Sequence, residues 1–114
     1  MKKIITAVIC VMAIHITAFA QTDSKKTETF KVYGNCDMCK ENIESVLKKK
    51  EGVLSKNWSP KTKMITVTYY PSKITLAQIK EKIGKVGYDT DSTRANDEAY
   101  NKLHKCCQYE RPKK

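Results

Sequence analysis

Cys36 and Cys39 stand at the junction between a strand-like run over residues 29–33 and a helix-like run over residues 42–49. Two thiols separated by two residues can converge on one soft metal ion, and they can also close a small redox disulfide. The junction requires a fold in which a first strand passes through a short loop into a helix. The choice between the two thiol chemistries decides the function of the protein.

The first twenty residues have the pattern of a secretory signal peptide. Lys2 and Lys3 form a basic start, residues 4–16 form an apolar run, and residues 18–20 form an A-x-A cleavage site. The apolar run is too short for a membrane span and ends in small residues. We therefore expect cleavage after Ala20 and a periplasmic or secreted mature protein, with an uncleaved anchor as the alternative.

Cleavage would leave 94 residues, which suits one small domain, and would lower the net charge from +10 to +8 because Lys2 and Lys3 are lost. The remaining basic residues are scattered, as on a solvated lysine surface, and no nucleic-acid recognition motif is present. Four of the five cysteines remain, but neither pair would close a loop long enough to constrain the unfolded chain. The sequence therefore favours neither a nucleic-acid-binding protein nor a disulfide scaffold.

The hydrophobic pattern predicts the element order β-α-β-β-α-β followed by a tail. Residues 53–58 are a second strand candidate, and residues 64–70 have the β-branched and aromatic residues typical of a third strand. Thr75 and Gln78 have the form of a capping box that opens a second helix, which Gly87 ends.

The two ends of the mature chain lie outside these central elements. Residues 21–28 are polar, and we expect them to be flexible. Residues 88–90 form a candidate for a short edge strand at the end of the domain. A third helix is expected from Asn96, its N-cap, to Cys106, within a C-terminal extension of residues 93–114.

This element order, with Cys36 and Cys39 at the first strand-to-helix junction, resembles the heavy-metal-associated domain family, which includes periplasmic mercury-binding proteins and small copper chaperones. The resemblance covers residues 29–92. It implies an α+β fold, a ferredoxin-like open sandwich with a four-stranded antiparallel sheet and two helices on one face. An additional C-terminal helix would follow this domain.

The resemblance also implies which residues carry the chemistry. Cys36 and Cys39 match the family's metal ligands, and Tyr88 matches a loop position where the family places an aromatic residue or a lysine beside the metal. Gly34 departs from the pattern, because the family usually has a methionine there that supports the loop from within. We expect both ligand thiols to lie outside the core.

The implied function is that of a carrier without enzymatic activity. Thiolates favour soft ions over hard cations, and we expect Cu(I), with Hg(II) or Zn(II) as alternatives. The expected partner is a metal-transporting membrane protein or an efflux system. We expect a monomer, with a metal-bridged dimer as the alternative, and no nucleic-acid partner.

His104, Cys106 and Cys107 lie outside the resemblance and form a second candidate group. On a helix, His104 and Cys107 would be i,i+3 neighbours on one face. The group predicts either a second soft-metal site or extra ligands for an ion at Cys36 and Cys39. The alternatives are an oxidised cysteine pair, or one buried cysteine beside a solvated histidine.

Two other functions stay open on the sequence. A Cys-x-x-Cys pair at a helix start also suits a thiol–disulfide oxidoreductase, although the intervening Asp37 and Met38 lack the proline common in that class. A zinc-stapled interaction domain is the other alternative. Hydrolytic chemistry is not favoured, because His104 is the only histidine after the predicted signal peptide.

Overall fold

Three antiparallel strands form the sheet of the protein. They are β1 (Lys26–Lys31), β2 (Val53–Trp58) and β3 (Met64–Tyr69), in the order β1-β3-β2. This computed structural model describes residues 24–113, so the predicted signal peptide and its cleavage site lie outside the described residues. Within that range, every helix is too short or too polar to cross a membrane.

β1 begins earlier than the sequence pattern predicts. Its register with β3 joins Lys26 to Tyr69 and Lys31 to Met64. Two pairs of facing threonine hydroxyls hydrogen-bond across this ladder, at 2.9 and 3.0 Å. Such cross-strand pairs stabilise a sheet because opposite side chains lie within contact distance. The expectation of flexibility is therefore wrong for residues 26–28, which belong to the strand.

Two helices, α1 (Asp37–Ser45) and α2 (Leu76–Lys85), pack on one face of the sheet. The alternation along β3 shows which face is covered, because Ile65, Val67 and Tyr69 are buried and the threonines between them point outward. The ferredoxin-like open sandwich is thereby confirmed.

α1 is shifted toward the amino end compared with the predicted helix. It begins at Asp37, directly after Cys36, and ends at Ser45. A separate 3-10 turn over Lys49–Glu51 follows, and Gly52 closes it with a φ of 108°, a left-handed conformation that favours glycine. The loop between the two cysteines is therefore part of the first helical turn.

α2 starts as the sequence predicts. The Thr75 hydroxyl accepts from the backbone N–H of Gln78, and the Gln78 side chain accepts from the backbone N–H of Thr75. This reciprocal capping box satisfies two N–H groups that have no partner within the helix. Ile79 and Ile83 then point into the core.

The fourth strand implied by the family resemblance is reduced to a single residue pair. Val32, just beyond β1, forms an isolated antiparallel bridge with Thr90. Pairing stops there because the backbone N–H of Thr90 donates to the carbonyl of Thr93 and closes a turn. Among the described residues, the sheet therefore has three full strands, and the predicted edge strand at 88–90 contributes one bridge.

The third helix, α3 (Asp97–Asn101), is much shorter than predicted. Asn96 is its N-cap, as expected, and its side chain accepts from Ala99 N at 2.7 Å. The helix does not continue to Cys106, because the chain turns after Lys102 and forms a 3-10 turn over Lys105–Cys107. This turn allows the side chain of Tyr109 to reach the core. Such tertiary packing outweighs local helix propensity.

Candidate metal centre

Cys36 and Cys39 face each other at the amino end of α1. Cys36 is the N-cap residue and is half-buried, whereas Cys39 lies in the first turn and is buried. Their Sγ atoms are 4.0 Å apart, and the backbone N–H of Asn35 donates to Cys39 Sγ at 3.3 Å. The two thiols can therefore converge on one ion. Cys39 also belongs to the hydrophobic core, so the expectation that both thiols lie outside it is wrong for Cys39.

The start of α1 lowers the pKa of the Cys36 thiol. The backbone N–H of Cys39 is the main cause, burial opposes it, and the N–H of Met38 acts in the lowering direction. A helix start favours a thiolate because its free N–H groups and its dipole stabilise negative charge. The charge of Lys40 is engaged elsewhere, since its ammonium pairs with Glu44 at 2.6 Å.

Trp58 fills the space beneath the metal-binding loop. A Cβ atom at Gly34 would lie 2.9 Å from Cζ2 of Trp58 and 3.2 Å from Cβ of Cys39. The Trp58 ring is fully buried, and its Nε1 donates to the carbonyl of Val32 at 2.9 Å, which fixes its position. The indole therefore supports the loop from within, where a methionine at position 34 would have to fit.

The C-terminal turn brings Cys106 and Cys107 to the same place. The Sγ atoms of Cys36, Cys106 and Cys107 all lie within 4.8 Å of one another. The Sγ atoms of Cys106 and Cys107 are 3.9 Å apart, and Cys106 Sγ lies 3.8 Å from Sδ of Met38. All four cysteines of residues 24–113 are free thiols. This placement favours extra donors for the ion at Cys36 over a separate second site.

His104 is not part of the thiol group. Its side chain is exposed, and its ring nitrogens are not among the ligand atoms that come together in residues 24–113. Its ψ of 147° is not helical, and it stands before the 3-10 turn. The predicted helical pairing of His104 with Cys107 is therefore wrong, because α3 ends at Asn101.

Tyr88 is a core residue next to the thiols. Its hydroxyl accepts a hydrogen bond from Nδ2 of Asn42 at 3.0 Å, and the Tyr88 ring is fully buried. Burial is the main reason why the pKa of Tyr88 is raised; the hydrogen bond from Asn42 opposes the shift, and Cys39 and Cys107 add to it. Tyr88 therefore stays a candidate for a residue that supports the ligands without binding the ion itself.

Cys107 is the protected thiol of the C-terminal pair. Burial, followed by the hydrogen bond with Cys39, raises the pKa of Cys107 to about 12. A thiol in such an environment carries its proton at neutral pH, and a soft ion must displace that proton to bind. Cys107 therefore differs from Cys36, whose surroundings favour the thiolate.

The residues that hold the C-terminal turn in place are missed by sequence reasoning. The hydroxyl of Tyr109 donates to the carbonyl of Gly87 at 2.7 Å and accepts from the backbone N–H of Asp89 at 2.8 Å. Arg111 then pairs with the buried Asp89 carboxylate. Both residues lie beyond the predicted helix, and the only local signal is one aromatic residue within a polar, basic end of the chain.

The sequence model of the heavy-metal-associated domain matches residues 29–89, which is more than half of the chain. The matched range contains the end of β1, the loop with Cys36 and Cys39, the strands β2 and β3, and both helices of the open sandwich. The chain therefore belongs to the heavy-metal-associated domain family. The resemblance recognised in the element order and the Cys-x-x-Cys pair is thereby confirmed.

Known proteins are similar to more than half of the chain. The copper chaperone CopZ of Staphylococcus saprophyticus is 36% identical over 64 residues, which are 55% of this chain and 94% of the chaperone. The zinc-transporting ATPase of Synechocystis sp. is 35% identical over 69 residues, which are 60% of this chain but 10% of the ATPase. In its Cu(I)-loaded solution structure, the N-terminal domain of a potential copper-translocating P-type ATPase from Bacillus subtilis matches with a TM-score of 0.56 at 28% identity, covering 65% of this chain and 94% of the domain.

Proposed function

We propose that the protein is an exported carrier that binds one soft metal ion through the thiolates of Cys36 and Cys39. Cu(I) is the proposed ion, with Hg(II) or Zn(II) as alternatives, because thiolates prefer soft ions. The carrier sequesters the ion or hands it to a metal-transporting membrane protein or efflux system. It acts without enzymatic turnover, and export rests on the signal-peptide pattern of residues 1–20.

The observation that carries this proposal is the pair of thiols at the start of α1. Their Sγ atoms are 4.0 Å apart, and the half-buried Cys36 leaves the pair open to an incoming ligand. An open two-thiolate site lets a partner's thiolates enter before the first pair leaves, so that tight binding and rapid transfer are compatible. The similarity to a protein named a copper chaperone and to transporting ATPases supports the same reading of the site.

Competitive titration of the reduced protein tests the proposal. The protein is purified anaerobically and titrated with Cu(I), Hg(II) and Zn(II) against a chromophoric chelator. We expect one tightly bound ion in the unsubstituted protein and a loss of affinity of more than about 100-fold in Cys36→Ser/Cys39→Ser. This loss exceeds the one that follows when only residues around intact metal ligands are substituted. His104→Ala is the matched control, because this exposed residue lies next to the C-terminal cysteines but outside the thiol group.

The contrary outcome is unchanged stoichiometry and affinity in the double variant. Because Cys39 is buried, far-ultraviolet circular dichroism of the ion-free variant must first show a folded domain. The single variant Cys36→Ser gives a second measurement at a half-buried position where packing changes least.

Thiol–disulfide exchange is the second candidate function, because the lowered pKa of Cys36 would also serve that chemistry. An insulin-reduction assay separates the two. The carrier proposal expects no appreciable turnover, together with metal transfer to a competing dithiol faster than simple dissociation. Robust turnover that is lost in Cys36→Ser would favour the oxidoreductase.

A further inference from the structure

We propose that residues 95–111 form a strap whose Cys106 and Cys107 thiolates complete the metal site at Cys36 and Cys39. The carried ion is then held by three or four sulfur atoms of one chain, without a thiolate from a partner. The inference rests on the proposed function, because it concerns the same ion. It gives a role to a segment that lies beyond the matched family domain.

The sulfur–sulfur distances fit a site with three or four thiolates. The Sγ atoms of Cys36 and Cys39 are 4.0 Å apart, and those of Cys106 and Cys107 are 3.9 Å apart. With metal–sulfur bonds of about 2.3 Å, sulfur atoms lie about 3.8 Å apart around a tetrahedral ion, about 4.0 Å apart in a trigonal plane and about 4.6 Å apart in a linear pair. The spacing within each pair therefore matches the higher coordination numbers, and the Sγ atoms of Cys36, Cys106 and Cys107 form the set that all lie within 4.8 Å of one another.

The loop and the strap are joined directly beside the thiols. Asn35 Nδ2 donates to the carbonyl of Cys106 at 3.2 Å, and Cys36 Sγ lies 3.7 Å from the same oxygen. These contacts place Cys106 and Cys107 against the loop whose Cys36 they approach within 4.8 Å. The donors from the two segments are therefore brought together by hydrogen bonds as well as by packing.

Tyr109 anchors the strap two residues after the cysteines. Its ring is buried, stacks on Tyr88 at a centroid distance of 5.8 Å, and meets Tyr100 edge-on at 5.1 Å. Its hydroxyl makes two buried hydrogen bonds, to the carbonyl of Gly87 and from the N–H of Asp89. Buried polar groups with satisfied partners specify one arrangement, so the position of the strap is determined by the core.

A buried ion pair fastens the end of the strap. The guanidinium of Arg111 contacts both carboxylate oxygens of Asp89 at 2.9 Å and also reaches Asp97 at 2.6 Å. The Asp89 side chain is only 1% exposed, so the strap supplies the charge partner that this carboxylate needs. The segment therefore belongs to the folded domain, and cutting the chain before residue 95 would remove structure as well as ligands.

The four thiols differ in their access to solvent. Cys39 and Cys107 are buried, Cys36 is half-buried, and Cys106 is exposed beside Met38. Each thiol that binds the ion gives up its proton to solvent. An incoming thiolate from a partner meets Cys106 first, so Cys106 is the donor that is exchanged first and Cys107 the one that is retained.

Counting the sulfur neighbours of bound Cu(I) tests the strap. The unsubstituted protein and Cys106→Ser/Cys107→Ser are each loaded anaerobically with one equivalent of Cu(I) and measured by X-ray absorption spectroscopy. We expect three or four sulfur neighbours in the first and two in the second. We also expect the affinity of the double variant for Cu(I) to fall by more than about tenfold, because even substitutions of residues that only support metal ligands commonly lower affinity by that factor.

Three controls keep this test decisive. His104→Ala should leave the sulfur count and affinity unchanged. Cys106→Ser alone changes an exposed position and should remove one sulfur neighbour even if the double variant packs poorly. Sedimentation of the same samples shows whether the sulfur atoms belong to one chain, because two Cys36–Cys39 pairs in a metal-bridged dimer would give the same count.

Several results would overturn the strap. Two sulfur neighbours in the unsubstituted protein, or an equal count in Cys106→Ser/Cys107→Ser, would do so while leaving the proposed carrier function intact. A high count found only in a dimer would do the same. Failure of the unsubstituted protein to bind Cu(I), Hg(II) or Zn(II) would instead reject the carrier function, and the strap with it.

Discussion

Gly34 and Trp58 lie against each other beneath the metal-binding loop, so the size of each side chain limits the size of the other. In the sequence alone, glycine at position 34 signals a loop without its usual internal support. The structure shows that the indole of Trp58 gives this support, with its Cζ2 atom 2.9 Å from where a Cβ at position 34 would lie. This compensation could not be predicted, because the two residues come from different elements and only the folded sheet places them in contact.

The close approach at Gly34 gives a prediction for stability. Gly34→Ala should lower the free energy of unfolding by about 1–3 kcal/mol, because its methyl group meets the fixed indole ring. Urea unfolding of the metal-free protein measures the change.

Gly84→Ala is the matched control for that measurement. Gly84 lies within α2, and its added Cβ would meet only Ala95 Cα at 3.8 Å, an ordinary contact. We expect this variant to be stabilised by about 0.5–1 kcal/mol, since alanine favours a helix more than glycine does. Equal effects of the two substitutions would contradict the steric role of Trp58.

Locally encoded elements follow the sequence closely. β2 has its predicted bounds, residues 53–58, and α2 begins with the capping box of Thr75 and Gln78. These features were predictable because the signals that specify them lie within the elements themselves. The loop with Cys36 and Cys39 was equally visible as a candidate site, whereas the placement of Cys106 and Cys107 beside it depends on contacts far along the chain.

Elements whose ends depend on distant contacts differ from prediction. α3 stops at Asn101 because the following turn carries Tyr109 into the core, and the edge strand at 88–90 is cut short by the turn at Thr93. Helical spacing near His104 gives no sign of either contact. Periodicity reports local preference, and the burial of one aromatic ring can outweigh it.

The hydroxyl of Tyr109 gives a prediction at the scale of the strap. Tyr109→Phe should destabilise the protein by about 1–3 kcal/mol, because the N–H of Asp89 and the carbonyl of Gly87 lose their buried partner. The ring stays, so packing is preserved, and thermal unfolding of the metal-free protein measures the loss.

Tyr33→Phe is the matched control, because Tyr33 also stacks on Tyr109, at 6.5 Å, but its hydroxyl makes no hydrogen bond within residues 24–113. We expect it to change stability by less than about 0.5 kcal/mol, as is usual away from special features. Similar losses in both variants would mean that the hydroxyl of Tyr109 does not hold the strap.

The ion pair of Asp89 and Arg111 links the C-terminal segment to the stability of the whole molecule. Burial disfavours the Asp89 carboxylate, but the Arg111 guanidinium and the N–H of Ala95 outweigh burial, and the pKa of Asp89 is lowered from its usual 3.8. The folded state therefore binds this proton less readily than the unfolded state. The stabilisation is fully present above about pH 4–5 and is lost as pH falls through 3.8 and the lower folded pKa.

Removing the guanidinium of Arg111 should change both the free energy of unfolding and its pH dependence. Arg111→Ala leaves a buried carboxylate without its partner, and we expect a loss of about 3–5 kcal/mol at pH 7. The acid-induced loss should also become smaller, because the folded pKa of Asp89 rises toward or above its unfolded value once the guanidinium no longer lowers it. Urea unfolding measures both effects between about pH 2 and pH 7, a range that includes the usual pKa values of carboxyl groups and of histidine.

Arg94→Ala serves as the comparison for Arg111→Ala. Arg94 also reaches the C-terminal segment, through the carbonyl of Pro112, but it is exposed. Its loss should cost less than about 0.5 kcal/mol and change the pH profile only slightly, because its charge lowers the pKa of Asp89 less than Arg111 does. An equal cost for both arginines would show that general charge, and not the buried pair, stabilises the molecule.

Two thiols tethered beside Cys36 compete with every external ligand for the ion. A ligand on the same chain acts at an effective concentration on the order of millimolar for short connections, without needing to diffuse to the site. A receiving protein must therefore offer either more thiolates or a better geometry than Cys106 and Cys107 already supply. Monothiols such as glutathione, at concentrations below this effective concentration, would leave the ion bound. The strap would therefore restrict transfer to acceptors that offer several thiolates in a suitable geometry.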